Sequence, residues 1–329
     1  MSDVSLAKEN PLLQIDTSFR TYLNAYTRSY QNHIVDGVLD YAFESDFAVR
    51  QKILGLGGSG KLFKAAGGTD VAAEAKVLFM KCNQVGPLKY PEIYDILKKC
   101  SERLELVVPI VFVREDIDKP LIYSISSDMI DPCIVITKKM VDTKSLDELT
   151  FLVGSECGKL QNNHCVYNMA FTYLNYNKQA YRPAERTYNQ TVSKQLYAAL
   201  VQWVNFADIT SDRAGMICLD KPGRFIDVIC SVYADGYVDF YGRQQEGIDS
   251  FMLQQKAESI GAVGSRNLTA DPSLSELERR ILASAQFLNC QTLYEWRRDL
   301  DDKDQTLSSA QISDVRSSIL LGNGGQLDG

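Results

Sequence analysis

Histidine is the scarcest reactive side chain in this sequence: 329 residues hold two, His33 and His164. A metal centre or proton relay that draws on several imidazoles is excluded by that count. No Cys-x-x-Cys pair occurs among the eight cysteines, Cys82, Cys100, Cys133, Cys157, Cys165, Cys218, Cys230 and Cys290. Neither a paired-thiol metal site nor a disulfide framework is therefore expected, and the thiols read as reduced ones in a cytoplasmic protein. No apolar run approaches the roughly 18 residues of a membrane span. The start, MSDVSLAKENPLLQID, lacks the basic and apolar blocks of a signal peptide. Basic blocks are missing too: 35 Lys and Arg stand against 42 Asp and Glu, for a net charge of -7. Nucleic acid and anionic membranes are thereby disfavoured as partners, since either requires a basic face.

What is present is a globular composition, 45% hydrophobic and 23% charged, on a chain long enough for about two units. Three segments are expected: an N-terminal helical region with a glycine-rich linker over 1–89, a core over 90–270, and a C-terminal helix with a mobile polar tail over 271–329. Helical spacing runs through residues 10–55. The linker contains Gly55 to Leu62, which fits the phosphate-binding loop pattern up to its last place. Leu62 stands where Ser or Thr would hold magnesium, and the segment upstream reads as helix rather than strand.

From residue 90 the pattern tightens. YPEIYDILKKCSERLEL reads as an amphipathic helix with Pro91 at its start. VVPIVFVRE, LIYSISS and DPCIVIT read as strands. Ser145 and Glu148 form a capping box that opens a long helix through SLDELTFLVGSECGKLQNNHCVYNMAFTYL. A polar, tyrosine-rich stretch over 175–190 precedes the helix SKQLYAALVQWVNFADITSDRAGMICL, in which Trp203 reads as core. A further helical pair is expected over 224–260. Arg279, Arg280 and the RRDLDDKD run read as solvated faces. The fold class is mainly helical α+β with a small β-sheet.

Tyr90 to Leu219 resembles the HtpX-like and CAAX-prenyl-protease type of zinc metallopeptidase, gluzincins of metallopeptidase family forty-eight. The landmarks are a helix starting near YPE, a strand, a strand ending in IVIT, then DELTFLVGSECGKLQNNH and ADITSDRAGMI. The resemblance implies a gluzincin-like core in which two histidines at i and i+4 bind zinc, with a glutamate beside the first as general base. Here the two histidine positions are Ser155 and Lys159, and Glu156 keeps the base position. Asp208 takes the place of the third ligand, a glutamate in the family. Asp212 and Arg213 keep the Asp-Arg pair, and Asp271-Pro272 matches the later His-Pro landmark loosely.

His164 lies nine residues after Ser155, on the opposite, core-facing side of a continuous helix together with Cys157. The metal set is thus degenerate: no cofactor is expected, and any zinc would fall to Asp208 and Glu156. Lys159 is expected to neutralise both Glu156 and Asp208 in the metal's stead. The functional expectation is a catalytically inactive homologue that binds a protein or peptide, or serves as a scaffold in a homo- or hetero-oligomer. Two alternatives stay open: a metal-dependent peptidase with carboxylate ligands, and a Ser155-Lys159 hydrolase. The second is weakened because Glu156 and Asp208 would raise the lysine's pKa when a base needs it lowered.

Overall fold

The periodicities call for a helical chain with one small sheet, and the fold is of that kind: mainly helical α+β. The computed structural model describes residues 33–35, 37–67, 76–127, 130–179, 194–244, 248–300 and 307–322. The expected helix over 10–32, the tyrosine-rich residues 180–190 and both ends of the polar tail fall outside them. By its contacts the chain divides between Leu39 and Asp40. The first unit contributes the antiparallel pair β1 (Ile34–Val35) and β2 (Val38–Leu39). Among the described residues no helix is long and apolar enough to cross a membrane.

In the second unit the glycine-rich segment is a tight corner, not the expected linker. It joins α1 (Glu44–Gly55) to α2 (Ser59–Ala66), with Gly58 in the left-handed region at φ 93°. No strand feeds it, which removes the phosphate-loop reading. β3 (Asn83–Gln84), β4 (Ile110–Arg114), β5 (Ile122–Ser127) and β6 (Ile130–Thr137) form one sheet in the order β3-β4-β6-β5. β6 is parallel to β4 and antiparallel to β5. Its Cys133, Ile134, Val135 and Ile136 are all buried. Burial on both faces explains why CIVIT reads as an unbroken apolar run instead of an alternation.

α3 (Pro91–Arg103) precedes β4, and α4 (Lys138–Thr143) leads from β6 into α5 (Leu146–Gln161). The capping box of α5 forms as expected: Glu148 N–H donates to Ser145 Oγ (3.4 Å) and Ser145 N–H to Glu148 Oε2 (2.8 Å). The helix does not run on through His164. It ends at Gln161, Asn163 takes a left-handed φ of 56°, and α6 (His164–Gln179) starts on a new axis. His164 and Ser155 therefore do not share one helix, and the period of a helix does not relate their directions.

α7 (Lys194–Cys218) crosses α5 at very short range. A Cβ added to Gly158 would stand 2.4 Å from Ala214 Cβ, and one added to Gly154 would stand 2.6 Å from Cys218 Cβ. Gly158→Ala is accordingly expected to destabilise by about 1–3 kcal/mol through overpacking, despite a helix-propensity gain of about 1 kcal/mol. Adding Ala214→Gly should return part of the loss. Urea denaturation of both variants checks this, and a Gly158→Ala protein as stable as the parent would contradict the close approach.

α8 (Phe225–Tyr233), α9 (Ser250–Ala262), α10 (Glu276–Ala285), α11 (Gln291–Trp296) and α12 (Ala310–Leu320) follow. Residues 310–320 were expected to belong to a mobile tail, yet α12 packs on α10. Its buried stripe is Ser313, Asp314, Ser317, Ser318 and Leu320, while Ile312 and Val315 are exposed. A polar buried face inverts the amphipathic pattern, so hydrophobicity could not find it. Ser317 Oγ donates to Ala283 O at 2.8 Å. Arg297, expected in solvent, is buried and donates to the carbonyls of Ile217 (2.9 Å) and Leu219, closing the C-terminal end of α7.

Candidate functional site

α5 carries Ser155, Glu156 and Lys159 toward α7, which carries Asp208 and Asp212 one helical turn apart. Ser155 is buried, and its Oγ donates back to Phe151 O at 2.9 Å, so its hydrogen is committed to its own helix. Lys159 Nζ lies 2.7 Å from Glu156 Oε1. The second oxygen of Glu156 has no hydrogen-bond partner among the described residues. Half of the expected lysine bridge thus exists.

The other half is made by Arg280, read from the sequence as solvated, and by Arg243, which the sequence does not single out. Asp208 Oδ2 lies 2.7 Å from Arg243 Nη1 and 3.2 Å from Arg280 Nη1. Arg280, a residue of α10, also grips Asp212 through Nε (2.9 Å) and Nη2 (2.7 Å). Ser284 Oγ donates to the same carboxylate at 2.8 Å. Arginine suits this position because its planar fork meets a carboxylate with two parallel bonds, which an ammonium cannot do. The pair Asp212-Arg213 does not act as a unit. Arg213 points to the other side of α7, where Nη2 lies 2.6 Å from Asp314 Oδ1 of α12. Its guanidinium sits between the rings of Phe43 (5.4 Å) and Phe287 (5.2 Å).

The two aspartates respond differently to the shared arginine. Burial pushes the Asp208 carboxyl up, but Arg243 and Arg280 outweigh it and hold the group below the usual carboxylate value. For Asp212, burial prevails over Arg280 and leaves the carboxyl raised, with neighbouring Asp208 adding to the rise.

A hairpin turn closes the site from outside. The expected helical pair over 224–260 is present as α8 and α9, but between them Val238 bridges to Gln244. Gly242 N–H donates to Asp239 O (2.9 Å), with Gly242 at φ 78°. Asp239 Oδ1 accepts the backbone N–H groups of Tyr241 (3.0 Å) and Arg243 (2.9 Å), which holds the turn rigid. Phe240 stacks on Tyr123 of β5 at 5.3 Å. The Tyr241 hydroxyl donates to Asn168 of α6, and its ring lies 6.0 Å from Lys159 Nζ. The space left around Ser155, Glu156, Lys159 and Asp208 is about 40 Å³, room for a few waters and not for a peptide. Asp-Gly and Tyr-Gly in DGYVDFYGR are turn signals that could have located this hairpin.

The donor set does not fit zinc. Asp208 is held by two guanidinium groups and Glu156 by an ammonium, while Ser155 and Lys159, which the resemblance sets at the two other ligand positions, are an alcohol and that same ammonium. Among the described residues no three His, Cys, Asp or Glu side chains gather as a metal ion would need. Both Lys159 and Arg280 would repel a dication placed between α5 and α7.

A second polar cluster escaped the sequence reading. Asp46 of α1 is fully buried and accepts from His164 Nε2, Trp203 Nε1 and Thr210 Oγ1, each at 2.8 Å. Arg50 Nε lies 3.1 Å from it. Burial pushes this carboxyl up, yet His164, Arg50 and the Thr210 hydroxyl together hold it down at about 2. His164 is thus a core histidine with a carboxylate partner, and Trp203 is buried as expected.

A stretch of 216 residues, 64% of this chain, is 24% identical to the plastoglobule-localized metallopeptidase 48, chloroplastic, of Arabidopsis thaliana, covering 58% of that protein. The chain is therefore a distant relative of a metallopeptidase and spans less than two thirds of its length. No family model matches the chain, and no solved structure matches it.

Proposed function

We propose that this protein is a non-catalytic relative of zinc metallopeptidases, in which ion pairs replace the metal and binding replaces cleavage. The observation that carries the reading is the fate of the three ligand positions. Ser155 is bonded to its own helix, Lys159 is paired with Glu156, and Asp208 is clamped by Arg243 and Arg280. At these positions each carboxylate is paired with a cation, and the Ser155 hydroxyl is bonded to a main-chain carbonyl instead of a base. The hairpin over residues 238–244 supports the same reading, because it occupies the approach to Glu156 and Lys159. Binding of a protein or peptide, alone or within a homo- or hetero-oligomer, then falls to outer surfaces, and a cytoplasmic location belongs to the same proposal.

Zinc content tests it. The full chain is purified without tag or chelator, incubated with zinc and washed, and its metal is measured by elemental mass spectrometry. Substantially less than one zinc per chain is expected, with no cleavage of a mixed peptide library. One zinc per chain that disappears in Asp208→Ala would overturn the proposal in favour of a carboxylate-liganded peptidase. Labelling of Ser155 by a serine-directed phosphonate would overturn it in favour of a hydrolase.

A further inference from the structure

On the far side of Arg243 and Arg280 lies a cavity of about 770 Å³, within the range of small-molecule sites. One wall is the outward face of α7: Tyr197, Ala198, Val201, Gln202 and Asn205. These positions alternate with the buried Leu196, Ala199, Leu200, Trp203 and Val204, so they form one continuous stripe at helical spacing. A helix face turned to water ordinarily carries charge. This stripe carries none over nine residues, and Val201 is 40% exposed. The opposite wall is the first turns of α10, with Leu277 and Arg279, together with Leu321 beyond α12.

Its charged groups are three arginines, Arg243, Arg279 and Arg280, against two carboxylates, Asp208 and Glu276. Asp208 is already engaged by two of those arginines. Arg243 contacts Asp208 through Nη1 and Asp239 through Nε and Nη2. That uses three of the five N–H groups of a guanidinium, and its side chain remains 32% exposed. Arg279 makes no ion pair among the described residues. Unspent charged donors therefore outnumber unspent carboxylate acceptors in a groove whose other lining residues are uncharged.

We infer that the groove between α7 and α10 binds a small apolar molecule ending in a carboxylate. The apolar part lies along Tyr197, Val201 and Leu277, and the carboxylate accepts from Arg243 and Arg279. A neutral head would lose the charge-assisted bonds, and a cationic head would meet the arginines. The inference goes beyond the non-catalytic reading and does not depend on it: the groove takes no residue from the Ser155-Lys159 side of the cluster.

Dodecanoate, kept below its critical micelle concentration, is a direct probe of the full-length chain by titration calorimetry. A Kd on the order of 100 μM or tighter is expected, given the ligand efficiencies of such molecules. Dodecanol should bind at least about tenfold more weakly, the loss of a charge-assisted bond. Arg279→Gln, at a half-buried position that no described ion pair holds, should weaken dodecanoate five- to tenfold, roughly the same loss. Val201→Trp, which fills the groove from an exposed position, should abolish binding. Melting curves by circular dichroism establish that both variants are folded; if Val201→Trp is not, Arg279→Gln decides. Equal affinity for dodecanol, unchanged binding in Arg279→Gln, or no heat with dodecanoate at about 1 mM, tenfold above the expected Kd, would each overturn the inference. The zinc measurement reads metal at Asp208 and Glu156, whereas calorimetry with Arg279→Gln and Val201→Trp reads groups outside that set, so the two proposals can fail separately.

Discussion

Replacing Arg280 by methionine is expected to destabilise the protein by about 3–5 kcal/mol, the range for removing one partner of a buried ion pair. Arg280 is the contact through which α10 holds both aspartates of α7. Without it Asp212, fully buried, retains the Ser284 hydroxyl as its remaining donor. The uncompensated charge, more than the lost attraction, sets the cost. Adding Asp212→Asn to the variant removes that charge and should restore part of the stability, giving a strongly non-additive double-mutant cycle. The sign of the pH dependence follows. Burial already raises Asp212 above its unfolded value, and loss of Arg280 raises it further. Protonation then favours the folded state, so the variant's deficit should shrink as pH falls from 7 toward 5. Urea denaturation at the two pH values measures both effects, and an Arg280→Met protein within about 1 kcal/mol of the parent, the level of an exposed pair, would show that the cluster is not a structural centre.

Asp46→Ala is expected to be comparably severe, again about 3–5 kcal/mol. Three donors converge on this carboxylate from α6 and α7: His164, Trp203 and Thr210. Alanine would leave a buried imidazole and indole N–H without acceptors, and would open a small cavity besides. Asp46→Asn keeps the volume but presents an amide hydrogen to donors that need an acceptor, so it should recover little. The carboxyl titrates at about 2, below its unfolded value of 3.8. Its stabilisation is therefore fully present above about pH 4 and is lost as pH falls through 2, on the order of 2 kcal/mol in total. Acid unfolding of the parent should begin in that window, and Asp46→Ala should lack this component. Identical acid-unfolding curves for the two proteins would remove Asp46 as its source.

That Ser155 and Lys159 are not imidazoles was legible from two letters, and two imidazole ligands on one helix would have to stand at i and i+4. Ser145 with Glu148, Pro91 and the CIVIT run were legible for a similar reason: caps, first-turn prolines and buried strands act within a few residues of chain. Signals that break helices locally were present but underread. Asn162-Asn163 ends α5 two residues before His164, and DFYGR turns the hairpin over the site. Gly154 and Gly158 also stand at the spacing of a close helix crossing, although which helix they admit is not a local property.

Composition, the boundaries of most helices and strands, and the absence of a histidine pair at i and i+4 were determined by the sequence alone, since each depends on residue type and short-range period. Which charges meet was decided by the tertiary structure. Arg280 lies 68 residues from Asp212, Arg213 lies 101 from Asp314, and His164 lies 118 from Asp46. Nothing in the period of a helix encodes which distant element will be packed against it. An arginine that reads as solvated becomes a buried tie when α10 docks on α7, because a charge removed from water must find its counter-charge wherever the fold has brought one.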